Sequence, residues 1–262
     1  NPISDDMDTL RTSLLPSLLD ALALNRDRGR VDVRIYEIAA AYLARVGEKN
    51  TQPDEPLRVA AVASAGVSAG DGQAAFYRMK SVLDSSVASL SAPACTYDRA
   101  SSELFHPGRC AAVILGGRQL GYVGELHPSV TSRARIDGRV VAFEIDVEPV
   151  LAASRVARAR PLPRFPSVER DLAVVVEETV GAGALLSSIN ELAGDTTGAA
   201  ALERAEAFDE YRGSQVPDGH KSIAFTLTFR SPERTLTDAE VDRVMSEIRL
   251  GLEKRHRARF RE

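Results

Sequence analysis

The spacing of apolar residues changes several times along the chain, and each change predicts a helix or a strand. Five leucines from Leu14 to Leu22 recur at helical spacing, which predicts a helix over Leu14–Arg28 with Ser13 as its N-cap and Gly29 as its stop. Apolar residues then alternate with charged ones from Val31. The apolar run that follows, Ile38–Leu43, predicts a long strand that becomes buried further along.

The other patterns in this first part predict an antiparallel sheet with helices packed on it. A Gly116-Gly117 turn separates two apolar runs and therefore predicts a hairpin. The predicted strands are Leu57–Ser64, Ala111–Leu115, Leu120–Glu125 and Val140–Val147, and the predicted helices are Gln73–Leu90 and a short one that His127-Pro128 opens.

A proline-rich stretch at residues 161–166 separates a second part from the first. Its three prolines are incompatible with a helix or a central strand. We therefore predict a domain over residues 1–154, a linker over 155–162 and a domain over 163–262. The second domain has the order βαββαβ, which is typical of a ferredoxin-like α+β fold. Its predicted elements are Leu172–Glu177, Gly183–Leu192, Ala205–Tyr211, Lys221–Arg230, a helix with a capping box at Thr237 and Glu240, and an alternating segment at residues 256–261.

The strict alternation over Lys221–Arg230 predicts that one face of the second sheet stays open to solvent. Thr226, Thr228 and Arg230 lie on that face, and Arg257, Arg259 and Arg261 are expected to join them from the last strand. Such a face can hold a single-stranded RNA loop, although no aromatic stacking residue is predicted on it. The alternative is that the last arginines form an ordinary charged edge that discourages strand pairing. Arg155, Arg158 and Arg160 are interpreted as solubilising the linker or as contacting RNA.

Composition excludes several classes of protein. The net charge of −4 argues against a strongly basic nucleic-acid binder, although six basic residues against two acidic ones close the chain from Arg249. Two cysteines, Cys95 and Cys110, favour a reducing cytoplasm, and no apolar run is long enough to span a membrane. There is no GxGxxG motif and no P-loop. The spacing of His106, Glu125 and His127 matches no metal-ligand motif, so we expect neither a metal site nor a hydrolase centre.

Three ordered motifs span the second domain. They are PRFPSVERDL over Pro163–Leu172, FDEYRG over Phe208–Gly213, and GHKS over Gly219–Ser222 followed by TFRSPERTLTD over Thr228–Asp238. On these motifs the domain resembles the ferredoxin-fold anticodon-binding domain at the C-terminus of bacterial phenylalanine–tRNA ligase beta subunits. The first domain resembles the catalytic-like module of the same subunit through LRTSLLP at Leu10–Pro16, IYEI at Ile35–Ile38, GELHP at Gly124–Pro128 and FEID at Phe143–Asp146.

The resemblance implies a class II synthetase-like antiparallel sheet with helices, followed by the ferredoxin-like domain. It also implies a separate catalytic alpha subunit in an alpha2-beta2 heterotetramer, a phenylalanine tRNA as partner, no membrane, and ATP and Mg²⁺ for the complete enzyme. The first domain is expected to dock on the alpha subunit through the surface that active class II domains use to dimerise. Since the family's beta subunits are several times longer and this chain starts at Asn1, we expect a piece of such a subunit.

The catalytic-like domain departs from the active pattern. Glu144 and Asp146 stand where active subunits carry small glycines, and Pro149 stands near the place of an ATP-binding arginine. Buried carboxylates repel a triphosphate, so we expect no catalytic, cofactor-binding or metal residue in this chain. The resemblance implies tRNA binding by Arg170, Arg212, Lys221, Thr226, Thr228, Arg230, Arg234, Arg257, Arg259 and Arg261. The alternative is a regulatory module whose ferredoxin-like domain senses a small ligand.

Overall fold

A computed structural model describes residues 9–45, 52–64, 71–157, 162–195, 200–213 and 215–260. The chain divides into two compact units, which we call unit 1 (Asn1–Arg158) and unit 2 (Ala159–Glu262).

Unit 1 is built on a six-stranded antiparallel sheet with the strand order β1-β2-β6-β5-β4-β3. Its strands are β1 (Arg34–Ala40), β2 (Leu57–Ser64), β3 (Thr96–Arg99), β4 (Phe105–Leu115), β5 (Arg118–Leu126) and β6 (Val140–Asp146). Its helices are α1 (Leu15–Asp27), α2 (Asp71–Ser89), α3 (Pro128–Arg133) and α4 (Glu148–Ala153).

Helices cover both faces of this sheet, and alternate residues of the central strands point to each of them. In β2, Ala60 and Val62 pack with the leucines of α1, whereas Ala61 packs with Met79 and Leu83 of α2. The small side chains of β2 allow the helices to approach the sheet closely on both sides.

The start of α1 differs from the prediction. The N-cap residue is Leu14, not Ser13, and the Leu14 side chain makes no capping hydrogen bond to the helix. The Ser13 hydroxyl instead donates a hydrogen bond to Glu144 Oε2 at 2.9 Å, and Glu144 Oε1 accepts the backbone N–H of Leu14 at 2.6 Å. The Ser13 hydroxyl oxygen also accepts the backbone N–H of Leu15 at 3.2 Å, so the predicted serine and a carboxylate from β6 cap the start of α1 together.

The predicted strand towards Leu43 is shorter than expected, although the chain does become buried further along, at Ala41. Strand β1 ends at Ala40, and its residues Tyr36 and Ile38 are 73% and 58% exposed. β1 is an edge strand, so it has a neighbour on one side only, and α2 does not extend over these two side chains. Of the other elements, β2 has the predicted bounds, the β4–β5 hairpin is longer than predicted, and β3 and α4 were not predicted.

Unit 2 has the predicted order βαββαβ, with four antiparallel strands in the order β10-β7-β9-β8. Its elements are β7 (Val168–Glu177), α5 (Ala182–Asp195), β8 (Ala201–Tyr211), β9 (His220–Arg230), α6 (Asp238–His256) and β10 (Arg259–Phe260). Both helices pack on one face of the sheet, around Phe225 and Phe229 of β9.

Two local predictions in unit 2 are confirmed and one is wrong. Residues Ile223, Phe225, Leu227 and Phe229 are all buried, as the alternation in β9 predicted. The capping box of Thr237 and Glu240 is present at the start of α6. The last strand, however, begins only at Arg259, because Arg257 has a left-handed backbone with φ 52° and ends α6.

Candidate nucleic-acid interface

The face of the unit 2 sheet that carries no helix has one row of side chains that crosses all four strands. Strand pairing places Arg259 of β10 opposite Val175 of β7, Val175 opposite Ser222 of β9, and Ser222 opposite Tyr211 of β8. Paired residues in an antiparallel sheet share a face, so these four side chains lie side by side. We call this face the open face; Val175 and Ser222, in the middle of the row, are themselves buried.

Small residues form the floor of the open face next to that row. Ala173 of β7 lies opposite Ala224 of β9, and Ala224 lies opposite Asp209 of β8. Thr226 follows two positions further along β9. A planar group can therefore approach the sheet here more closely than it could over large side chains.

The open face carries more negative than positive charge. The registers place five carboxylates on it, against three arginines. The carboxylates are Glu169, Asp171, Glu177, Glu206 and Asp209, and the arginines are Arg204, Arg230 and Arg259. Such a surface disfavours close approach of a phosphate backbone and favours contacts with the N–H donors of base edges.

Four of the residues predicted to bind tRNA lie on the open face, namely Thr226, Thr228, Arg230 and Arg259. Two of them already have intramolecular partners. Thr226 donates a hydrogen bond to Asp171 at 2.7 Å. Arg230 donates to Glu203 at 2.7 Å and to the backbone oxygen of Phe165 at 2.6 Å, which holds the proline-rich stretch against the sheet.

Two predicted residues lie on the other side of the sheet. Arg170 of β7 lies opposite Leu227 of β9 in the sheet, and Leu227 is buried under the helices. The Arg170 guanidinium donates a hydrogen bond to Asp238 of α6 at 2.6 Å. Lys221 is also on the helix side, with only 8% of its side chain exposed and its amine 3.6 Å from Glu210.

Arg212 and Arg234 lie beyond the strands and are both in ion pairs. Arg212 pairs with Glu210, while Arg234 donates to Glu240 Oε2 at 2.9 Å. The Arg234 guanidinium, helped by hydrogen bonds from Thr237, lowers the pKa of Glu240 to about 2. Glu240 thus serves the capping box and the ion pair together.

The three terminal arginines do not form the single row that the alternation predicted. Arg257 ends α6, and only Arg259 lies on β10. Within the described part of the chain, neither of them has an ion pair. Arg261 lies outside the described residues, as do Arg158 and Arg160 of the linker.

The expectation of an open face without aromatic residues is wrong, because Tyr211 lies on it opposite Ser222 with 39% of its surface exposed. Phe208, three residues earlier, is 60% exposed at a break in the β8–β9 register. Two such breaks lie within β8, and each shifts which residues share a face. The sequence signal was available in the FDEYRG motif, but simple alternation could not place its aromatic residues.

A second polar cluster lies on the α1 face of unit 1, around Glu144. The Arg58 guanidinium is 3.7 Å from Glu144 and 3.0 Å from Asp146, and it donates to the backbone oxygen of Thr12 at 3.0 Å. We call Ser13, Leu14, Arg58, Glu144 and Asp146 the Glu144 cluster. Its two carboxylates are compensated by one arginine that the sequence analysis did not identify, and a cavity of about 270 Å³ lies beside it.

On the other face of the unit 1 sheet, a largely apolar groove of about 450 Å³ lies between α2 and the edge strand β1. Val59 and Ala61 of β2 form its floor, and Tyr36, Ile38 and Val82 line its walls. We call it the β1–α2 groove. These three wall residues are each more than half exposed, which is typical of a surface that another chain covers.

The described residues contain no group of three or more His, Cys, Asp or Glu arranged to hold a metal ion. His127 instead caps α3 by accepting the Ser129 N–H at 3.2 Å, and Glu125 pairs with Arg109 at 2.8 Å. No helix in the described ranges is both long and apolar enough to cross a membrane.

Two family models match the chain. The one described as the phenylalanyl tRNA synthetase beta chain CLM domain matches residues 1–147, and the one described as the ferredoxin-fold anticodon binding domain matches residues 163–261.

Similar proteins come from several bacteria. The chain is 39% identical to the phenylalanine–tRNA ligase beta subunit of Symbiobacterium thermophilum over 258 residues, which cover 96% of this chain and 28% of that one. It is 40% identical to the subunit of Moorella thermoacetica over 268 residues, covering 100% of this chain and 32% of that one. The chain thus spans less than a third of the length of these curated relatives. Among solved structures, a pyrrolysyl tRNA synthetase of Desulfitobacterium hafniense matches 56% of this chain and 52% of its own. The TM-score is 0.44 and the sequence identity is 15%, which is too weak a likeness to identify a fold.

Proposed function

This chain belongs to the phenylalanine–tRNA ligase beta-subunit family, and from that membership we propose that it serves the ATP-dependent attachment of phenylalanine to its tRNA as a binding part. Unit 2 holds the anticodon loop on its open face. Unit 1 carries no chemistry and docks on the catalytic alpha subunit in an alpha2-beta2 heterotetramer in the cytoplasm. ATP and Mg²⁺ act elsewhere in the complete enzyme.

The observation that carries this proposal is the row from Arg259 to Tyr211 beside a floor of small residues. An unpaired base stacks on the Tyr211 ring and lies over Ala224, where the sheet admits a flat group. Asp209, next to this floor, accepts N–H groups from the base edge, which gives selectivity for bases with donors there.

The phosphates are held away from the acidic floor. Arg257 and Arg259, at the β10 edge, are the predicted cations that are not committed to an ion pair within the described residues, so they take the backbone contacts. The buried or paired cations Arg170, Arg212, Lys221 and Arg234 instead stabilise unit 2. Thr226, Thr228 and Arg230 remain proposed as lesser contacts, since each sits on the open face.

We expect Tyr211→Ala to weaken binding of an anticodon stem-loop RNA by about tenfold to a hundredfold, because stacking of one base on an aromatic side chain contributes about 1–3 kcal/mol. Tyr211→Phe keeps the ring and should bind nearly as the unchanged chain does. The affinities are measured by titration at several salt concentrations, with the loop of an unrelated tRNA as the comparison.

The same titration separates base contacts from phosphate contacts. Tyr211→Ala should leave the slope of log affinity against log salt unchanged, whereas Arg257→Ala with Arg259→Ala should lower it by about 2. Equal binding of both RNAs, unaffected by Tyr211→Ala, would contradict anticodon recognition. It would favour the regulatory alternative if a small molecule bound in its place.

The Glu144 cluster argues against ATP in unit 1. Both carboxylates are engaged with Arg58, and the N–H of Leu14 and the hydroxyl of Ser13, which could bind a phosphate, already donate to Glu144. The residues present do not fit a nucleotide triphosphate, so we assign this domain no step of the reaction.

The β1–α2 groove is the surface that we propose for the alpha subunit. Ile38→Glu puts a charge on a groove wall without disturbing the core, because Ile38 is 58% exposed. We expect it to reduce copurification of a coexpressed alpha subunit at least tenfold. Leu250→Glu, at a residue 56% exposed on α6, is the matched control. Recovery of the alpha subunit at the control level would show that the groove serves another part of the assembly.

A further inference from the structure

Tyr211 lies directly against Gly213, the last residue of the FDEYRG motif. A methyl group added to Gly213 would lie 2.3 Å from the Tyr211 hydroxyl oxygen, 2.5 Å from Cζ and 3.1 Å from Cε1. The first two distances are shorter than any stable contact between such atoms. The hydroxyl end of the ring thus occupies the space that any other residue's side chain would need.

Glycine at this position is required for space and not for backbone conformation. Gly213 does not have a positive φ, in contrast to Gly219 in the same β8–β9 connection, where φ is 73°. Alanine is therefore compatible with the backbone of residue 213. The clash falls on the far end of a side chain that can rotate, so substitution moves the ring and leaves the fold intact.

A ring held in one place is a better stacking surface than a mobile one. Immobilising a side chain on binding costs part of the affinity, and a side chain that is already held avoids that cost. Tyr211 is 39% exposed, so part of its side chain remains accessible beside Gly213.

We infer that Gly213 is a positioning residue for RNA recognition: its missing side chain seats the Tyr211 ring in the orientation that stacks a base at the end of the Arg259–Tyr211 row. This inference rests on the proposed function of the open face. It adds a residue that does not touch the RNA and acts only through Tyr211.

The test is a double-mutant cycle on the whole chain, with the anticodon stem-loop RNA as probe. Gly213→Ala should weaken binding about threefold to tenfold, the range expected when one side chain loses its preorganised position. In the Tyr211→Ala background the same substitution should have no further effect, because the ring through which it acts is absent. Gly194→Ala is the matched control and should bind normally, because a methyl group added at Gly194 would have no other atom within 4 Å.

The outcomes separate this inference from the proposed function. Normal binding by Gly213→Ala, together with weakened binding by Tyr211→Ala, would overturn the positioning role and keep the anticodon site. An equal loss from Gly213→Ala in both backgrounds, or a lower unfolding temperature, would mean that the glycine acts through the backbone, which also overturns it. If Tyr211→Ala binds normally, the proposed site itself fails and the inference fails with it.

Discussion

Glu144→Ala is expected to lower the free energy of unfolding of unit 1 by about 3 kcal/mol. The side chain is only 12% exposed and accepts hydrogen bonds from the Leu14 N–H and the Ser13 hydroxyl. Its removal leaves an amide at the start of α1 without an acceptor and leaves Arg58 with Asp146 as its one remaining carboxylate in the Glu144 cluster. Helix α1 supplies one whole layer of the core, so the loss extends beyond the two hydrogen bonds.

The measurement is urea denaturation followed by circular dichroism, combined with hydrogen exchange of the α1 amides. Asp98→Ala removes an exposed strand carboxylate of the same unit, for which the described residues show no hydrogen bond or ion pair, and should change stability by less than about 0.5 kcal/mol. Glu144→Gln, which keeps an acceptor but loses the charge, should fall between the two. An α1 that exchanges as slowly in Glu144→Ala as in Asp98→Ala would show that the cluster does not hold the helix.

Gly121→Ala is expected to cost unit 1 about 3 kcal/mol or more, because the clash is with backbone. A methyl group at Gly121 would lie 2.0 Å from the carbonyl oxygen of Glu144 and 2.9 Å from the Cα of Ile145, and neither atom can rotate away. Gly121 lies opposite Ile145 where β5 pairs with β6. Strands β5 and β6 must therefore separate locally to admit the methyl group.

Gly108→Ala is the control for this substitution. Gly108 is also on a strand of unit 1, and the nearest atoms to its added methyl group are in the His106 ring at 3.7 Å, an ordinary contact distance. Amide exchange in β5 and β6 should accelerate in Gly121→Ala alone. Similar stability of the two variants would contradict the close approach of the strands.

The accuracy of the sequence-based predictions depended on whether a feature is local. Alternation in β9 and the capping box at Thr237 involve residues within one element, and both were predicted correctly. The exposure of Ile38 depends instead on how far α2 reaches across the sheet, and the partner of Arg170 depends on how α6 lies over β7. No spacing within one segment contains that information.

In the candidate interface, too, features within one strand were predicted and features that depend on strand pairing were missed. Thr226 and Thr228 were placed on the open face because their strand alternates without interruption. Tyr211 was missed because two irregularities in β8 intervene, and because the identity of its cross-strand neighbour Ser222 follows from register. The excess of carboxylates was missed for a related reason, since it arises only when β7 and β8 are set on either side of β9.

The Glu144 cluster has a consequence for how this domain can change over time. A carboxylate from within the chain occupies the amino end of α1 and the guanidinium of Arg58, which are groups that would otherwise suit an external anion. Substituting Glu144 with a small residue would free that space and would, in the same step, release the helix that closes the core. The start of α1 depends on a carboxylate from the same chain, so any variant that bound an external anion there in its place would first have to lose the stability that Glu144 supplies.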